Sequence, residues 1–267
     1  MKVRLSEYDI AFPVITAECT SPGEYDLVGE VLGTAFLLGS GFLMTAGHVI
    51  QALSASSREP MLAIPRPGEP GGPWVTRIQK TELLGSDLGI IQVSTQGGGD
   101  AIEPILPWYG QAVDAFDNLW SVGYAYGLLL VGDQKQFHQR IFRGHSVGKA
   151  SRHELSTDGD RCSAVYELSF QTPRGLSGAP LIGDFGENGR KPIVVGVIVG
   201  NSSQSMVVHR RREVDASGLQ VSVYEIHESL SLGIAIQARH ALGLESTLLD
   251  STIGDFLVRR NALHPAP

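Results

Sequence analysis

Three short segments carry residue types that together can transfer an acyl group. Thr45-Ala46-Gly47-His48-Val49 sets a histidine just after an apolar stretch. Ser86-Asp87-Leu88-Gly89-Ile90-Ile91 sets an acid at the mouth of another, and Gly175-Leu176-Ser177-Gly178-Ala179-Pro180-Leu181 places a serine among glycines. A serine hydroxyl is a poor nucleophile near neutral pH and needs a base within hydrogen-bond reach. An imidazole can take that proton and later return it to a leaving amine, so His48 is the candidate base for Ser177. Asp87 would hold the ring in one tautomer and stabilise its protonated form. The glycines would let the backbone turn until the N–H groups of Gly175 and Ser177 converge on an oxyanion, each donor worth roughly 3–4 kcal/mol.

Taken singly, each segment has an ordinary structural role. A lone histidine at a helix start usually packs, an aspartate before a strand usually caps a turn, and Gly-x-Ser-Gly is often a tight turn. The order His, Asp, Ser on a strand-rich chain carries the functional reading. Ser40 and Ser86 read as turn residues. His145 and His153 fall in a polar, strand-poor stretch and read as solvated, with no second ligand pair at zinc spacing, so neither metal nor cofactor is expected. Cys162 has no neighbouring base to make it a nucleophile. Arg210-Arg211-Arg212 reads as a solvated loop face, the alternatives being a processing site or a docking patch for an acidic partner.

The elements that must position these residues are mostly strands. The 267 residues include 32 glycines and 14 prolines but only 18% charged residues, which favours short strands and tight turns over long helices. Apolar runs at Val31 to Leu38, Phe42 to Met44, Val75 to Ile78, Leu88 to Val93, Leu119 to Tyr124, Ala164 to Phe170, Ile193 to Val199 and Gly233 to Ile236 read as strands. No fixed repeat and no strand–helix alternation is present, so a parallel βαβ sheet is not expected. Ala46 to Ala55 reads as a short helix. Residues 237–260 read as one closing helix, weakened at Gly254. A soft boundary falls at 100–117, and residues 201–231 read as a long, loose excursion with a solvated tip. The net charge of −7 argues against a nucleic-acid surface. A single bridge between Cys19 and Cys162 stays open, but the favoured reading is two isolated buried thiols in a reducing compartment. Charge interrupts the N-terminal residues before a secretory core develops, and no stretch approaches the ~20 apolar residues of a membrane span. A cytoplasmic location is therefore expected.

On the three motifs and their chain order, the sequence resembles the chymotrypsin/trypsin-like serine peptidases over about residues 10–240. The resemblance implies an all-β fold of two six-stranded antiparallel β-barrels, about 10–110 and 117–240, closed by a C-terminal helix. His48 and Asp87 would come from the first barrel and Ser177 from the second. It also implies a serine endopeptidase acting on protein or peptide through an acyl-enzyme. Val49 stands where secreted members have a disulfide cysteine, and Leu176 where zymogen-activated members have an aspartate. The chain thus more resembles the disulfide-free bacterial branch that includes HtrA-like enzymes, without a PDZ-sized extension, and cleavage-driven activation is not expected. By the same analogy Gln171 would form the floor of the specificity pocket with Thr172 beside it, and Val199, Gly200 and Asn201 a wall. With no carboxylate at the floor, an uncharged side chain is expected at the cleavage site, unless Glu213 or Asp215 reaches in. Two rival readings share the fold: an effector or interaction module active only with a regulatory protein partner, and an esterase using the same triad.

Overall fold

The computed structural model describes residues 10–21, 24–26, 31–39, 41–64, 74–93, 106–126, 128–131, 134–150, 153–154, 161–162, 164–185, 191–214 and 221–264. Six strands close the first barrel: β1 (Ala11–Ser21), β2 (Val31–Gly39), β3 (Phe42–Ala46), β4 (Glu59–Ile64), β5 (Trp74–Leu84) and β6 (Leu88–Val93). They pair antiparallel in the order β1-β2-β3-β6-β5-β4, and β4 returns to β1. Six more close the second: β7 (Asn118–Gly123), β8 (Arg140–Ala150), β9 (Val165–Leu168), β10 (Pro180–Phe185), β11 (Lys191–Val214) and β12 (Val221–Gln237). Their order, β7-β8-β9-β12-β11-β10 with β10 returning to β7, repeats that of the first barrel. Closure leaves each barrel no free sheet edge along its paired strands, which suits a chain of short strands.

All eight expected strands lie in this frame. Four others, β1, β4, β8 and β10, carry weak local signals. Pro13, Pro60 and Pro180 fall in three of them, and β8 mixes glycine with basic residues. Barrel closure, which pairs each on both sides, overrides those local preferences. The polar stretch read as strand-poor is thus partly strand: His145 lies on β8 opposite Asn118, its Nδ1 3.3 Å from Ser169 Oγ, so it is engaged rather than free in solvent. The excursion is a continuous ribbon rather than a loose loop. β11 and β12 pair from Gly196↔Gln237 out to Val214↔Val221, well beyond the barrel wall. The alternation Val221-Ser222-Val223-Tyr224-Glu225-Ile226 carries that strand signal. The ribbon's tip with Asp215, the Ser40 turn, and the side chains of Cys19, Cys162, His153, Glu213 and Arg210 to Arg212 lie outside the described residues.

The barrels share a core. The connector at Trp108 runs parallel to both β11 at Val194 and the C-terminal Leu263, and the fully buried Trp108 ring stacks on Phe36 of β2 at 5.7 Å. Among the described residues no helix is long and apolar enough to cross a membrane.

The single closing helix expected over 237–260 divides in two. Two short helices form, α2 (Ala238–Ala241) and α3 (Ile253–Arg259), after α1 (Gly47–Ala55) in the first barrel. The Glu82 carboxylate of β5 dictates the break. It accepts from Ser246 Oγ at 2.6 Å, Thr247 N at 2.7 Å, Thr247 Oγ1 at 2.8 Å and Leu248 N at 3.1 Å, claiming amides a continuous helix would need. Thr252 Oγ1 then restarts the helix by accepting from Asp255 N at 3.0 Å. Burial acts to raise the Glu82 carboxyl, but the bonds from Ser246, Thr247 and Leu248 outweigh it and hold it below its ordinary value of 4.5. The folded carboxyl therefore binds protons less readily than the unfolded one. Its stabilisation is complete above the ordinary carboxylate range and is lost as pH falls through the lowered value. Glu82→Gln is expected to lower Tm by about 2–4 °C near neutral pH, for about 1–2 kcal/mol. Thermal unfolding across a pH series should show the gap to wild type closing on the acid side.

Candidate active site

α1 begins directly where β3 ends, and its first turn has no side-chain cap of its own. Orphan amides at a helix start need acceptors, and the turn between β5 and β6 supplies them. Gly47 N donates to the Asp87 carbonyl at 2.8 Å and His48 N to Asp87 Oδ1 at 2.8 Å. The second carboxylate oxygen, Oδ2, lies 2.8 Å from His48 Nδ1. A carboxylate there fixes the neutral ring's proton on Nδ1, leaving Nε2 with its lone pair. The Asp87 side chain is 13% exposed and the His48 side chain 43%, so the acid is screened while the ring faces the solvent. Ser86 and Asp87 both adopt left-handed backbone, with φ of 62° and 55°. Neither is glycine, so each costs about 1–2 kcal/mol, and such a turn persists only where its surroundings dictate it.

The serine loop is built the same way, from bonds to the other barrel. Gly178 has φ of 86°, and a Cβ there would strike the Thr34 carbonyl and Thr45 Oγ1 and lie 2.8 Å from Ala46 N. The residue after Ser177 is thus pressed against the end of β3, two residues before His48. Thr34 of β2, absent from the sequence reading, pins this loop at two points and ties it to the end of β7. Its amide donates to the Ser177 carbonyl at 2.8 Å, its Oγ1 donates to the Gly175 carbonyl at 2.7 Å, and the same Oγ1 accepts from Tyr124 N at 3.1 Å. The only advance signal for it was a polar residue within an apolar strand run. Thr34→Val keeps the shape but orphans two buried groups, at about 1–3 kcal/mol each. The variant should unfold at lower denaturant with m unchanged, as equilibrium unfolding can measure.

Within the loop, Leu176 N donates to Pro173 O at 3.0 Å, Gly178 N to Ile198 O at 2.7 Å and Ala179 N to Leu176 O at 3.0 Å. The amides of Gly175 and Ser177 donate to nothing among the described residues, nor does Ser177 Oγ form a hydrogen bond there. The structure therefore joins His48 to Asp87 directly. It docks the Ser177 backbone against the strands feeding His48, without a hydroxyl–imidazole bond.

The residues expected to shape a side-chain pocket divide. Thr172, Gly200 and Asn201 are joined: Asn201 Oδ1 accepts from Thr172 N at 2.7 Å, Asn201 Nδ2 donates to the Thr172 carbonyl at 2.7 Å, and Thr172 Oγ1 donates to the Gly200 carbonyl at 2.5 Å. A Cβ on Gly200 would meet nothing within 4 Å, so open space lies beside it. Val199 is buried, and Gln171 is exposed to solvent. Among the described residues no three His, Cys, Asp or Glu side chains gather as metal ligands.

No family model matches this sequence and no curated protein matches it. Solved structures do. The chain is similar to the crystal structure of Rv3671c from M. tuberculosis H37Rv, a serine-to-alanine mutant in an inactive form, with a TM-score of 0.51 and 14% identity over 97% of this chain and 90% of that one. It also matches the crystal structure of Deg5 with a TM-score of 0.49 and 15% identity, over 73% of this chain and 80% of that one. The fold is the chymotrypsin-like double barrel.

Proposed function

We propose that this chain is a serine endopeptidase in which Ser177 is the nucleophile, His48 the general base and Asp87 the acid that orients it. The observation that carries the reading is a pair of amides, Gly175 N and Ser177 N, that donate to nothing among the described residues, in a loop whose neighbouring amides are bonded, docked beside a His48–Asp87 pair. Ser177 Oγ would give its proton to His48 Nε2 and attack the scissile carbonyl. The two amides would receive the negative charge on the carbonyl oxygen. His48 would return the proton to the departing amine, and water activated by the same ring would then release the acyl group. Thr172, Gly200 and Asn201, with Val199 behind them and Gln171 at the rim, would receive the side chain preceding the cleaved bond. They offer amide and hydroxyl groups and no carboxylate, which suits an uncharged residue.

A fluorophosphonate tests this without knowledge of the natural substrate. Peptide mapping of the labelled native protein should find one modified residue, Ser177, and denatured protein should not label. Modification elsewhere, or none under any condition, would remove the reading. The absence of a bond from the Ser177 hydroxyl to the His48 ring favours one alternative, a peptidase-fold module that becomes competent only on binding a protein partner. A peptide-library digest separates them: the free enzyme yields reproducible cuts, and the partner-dependent module yields none alone.

A further inference from the structure

We propose that His240 is a positioning residue for the Asp87–His48 pair, acting through Ser86. The inference rests on the peptidase reading above and adds to it a part played by the second barrel. Ser86 and Asp87 form a left-handed pair of non-glycine residues, which needs an external hold. On one flank α1 provides it, through Gly47 and His48. On the other, Ser86 Oγ lies 2.7 Å from His240 Nε2. His240 sits on α2, which continues directly from β12 of the second barrel. The contact is continued by neighbouring ones. Gly85, the residue before Ser86, faces Leu244 Cδ2 at 4.0 Å from the position a Cβ would take, and Glu82 grips residues 246–248 through four hydrogen bonds.

The acid is thus held from two directions. α1 sets where the carboxylate meets the imidazole, and the Ser86–His240 bond sets the backbone from which the carboxylate projects. Among the described residues the Asp87 carboxylate bonds only to His48, through its amide and its ring. Nothing else at the carboxylate corrects its aim if the turn relaxes. Small misplacements of an orienting group cost rate, not binding. His240 would therefore control how well Asp87 fixes the His48 ring, while leaving the pocket at Thr172 and Asn201 untouched.

Three variants test this: His240→Ala, His240→Gln, whose amide can still meet the Ser86 hydroxyl, and Ser86→Ala, which removes that hydroxyl alone. Each is measured for fluorophosphonate labelling rate, for kcat and KM on a peptide found by library digest, and for the downfield proton NMR signal of the His48 Nδ1–Asp87 bond. His240→Ala and Ser86→Ala should each lower kcat and the labelling rate by about 10-fold with KM unchanged. Both should broaden or remove the downfield signal, their double variant should be no worse than either, and His240→Gln should recover most of the rate. A folded His240→Ala or Ser86→Ala protein with wild-type rate and an unchanged downfield proton overturns the proposal. So does an equal loss in His240→Gln, or a double variant that loses the product of the two effects. Wild-type labelling at Ser177 alongside such a result leaves the peptidase reading standing and removes only the role of His240. Should His240→Ala fail to fold, Ser86→Ala decides the same bond.

Discussion

Ser177→Ala is expected to reduce peptide turnover by about 10⁶-fold and to abolish fluorophosphonate labelling, with His48→Ala costing nearly as much and the double variant no more. Non-additivity follows from a shared step. On the proposed roles, without the hydroxyl there would be no nucleophile for His48 to serve, and without the imidazole the hydroxyl would keep its proton. The fold should survive. Ser177 holds its place through its backbone carbonyl on Thr34 N, and its Oγ forms no hydrogen bond among the described residues. Matching Tm values for wild type and Ser177→Ala, beside lost labelling, are the expected pair of measurements. Residual labelling of Ser177→Ala would place the nucleophile elsewhere. Single losses that multiply in the double variant would show that the two residues do not act in one step.

Asp87→Asn should lower kcat by about 10⁴-fold with KM little changed. The carboxylate faces two donors, His48 N at Oδ1 and His48 Nδ1 at Oδ2. An asparagine has one acceptor and one donor, so it satisfies only one of them. If the carboxamide keeps its oxygen on His48 N, its NH₂ faces Nδ1, and the ring must move its proton to Nε2. That nitrogen then cannot accept a proton from Ser177. If it keeps its oxygen on Nδ1, the amide opposes the His48 N–H, and the start of α1 loses its cap at about 1 kcal/mol. Kinetics separate the cases. The first costs rate at near-normal stability, and the second costs stability with a milder loss of rate. Undiminished kcat in a folded Asp87→Asn protein would end the assignment of Asp87 as the orienting acid.

The inner strands of both barrels were legible because a half-buried or fully buried strand writes its burial into consecutive residues, as Leu88 to Val93 and Ile193 to Val199 do. The short helix after β3 was legible for the same reason. Strands with proline or polar residues, such as β1 and β8, were not, because their pairing comes from the neighbours that close each barrel rather than from their own composition. The division of the closing helix was equally hidden. It depends on Glu82, a residue of the first barrel far away along the chain, reaching the amides of 247 and 248.

By itself the sequence specified the chemical repertoire: an imidazole, a carboxylate and an alcohol, each in a segment at the end of a strand or among glycines, and a β-rich frame to carry them. Those features are short-range and survive in any reading of the linear chain. Only the tertiary structure decided that Asp87 caps the helix bearing His48, that Thr34 pins the serine loop, and that His240 reaches Ser86 from the other barrel. An alternating pattern tells which face of a strand is buried but not which strand lies beside it. Contacts between distant segments therefore appear only once barrel closure has fixed the register of every pair.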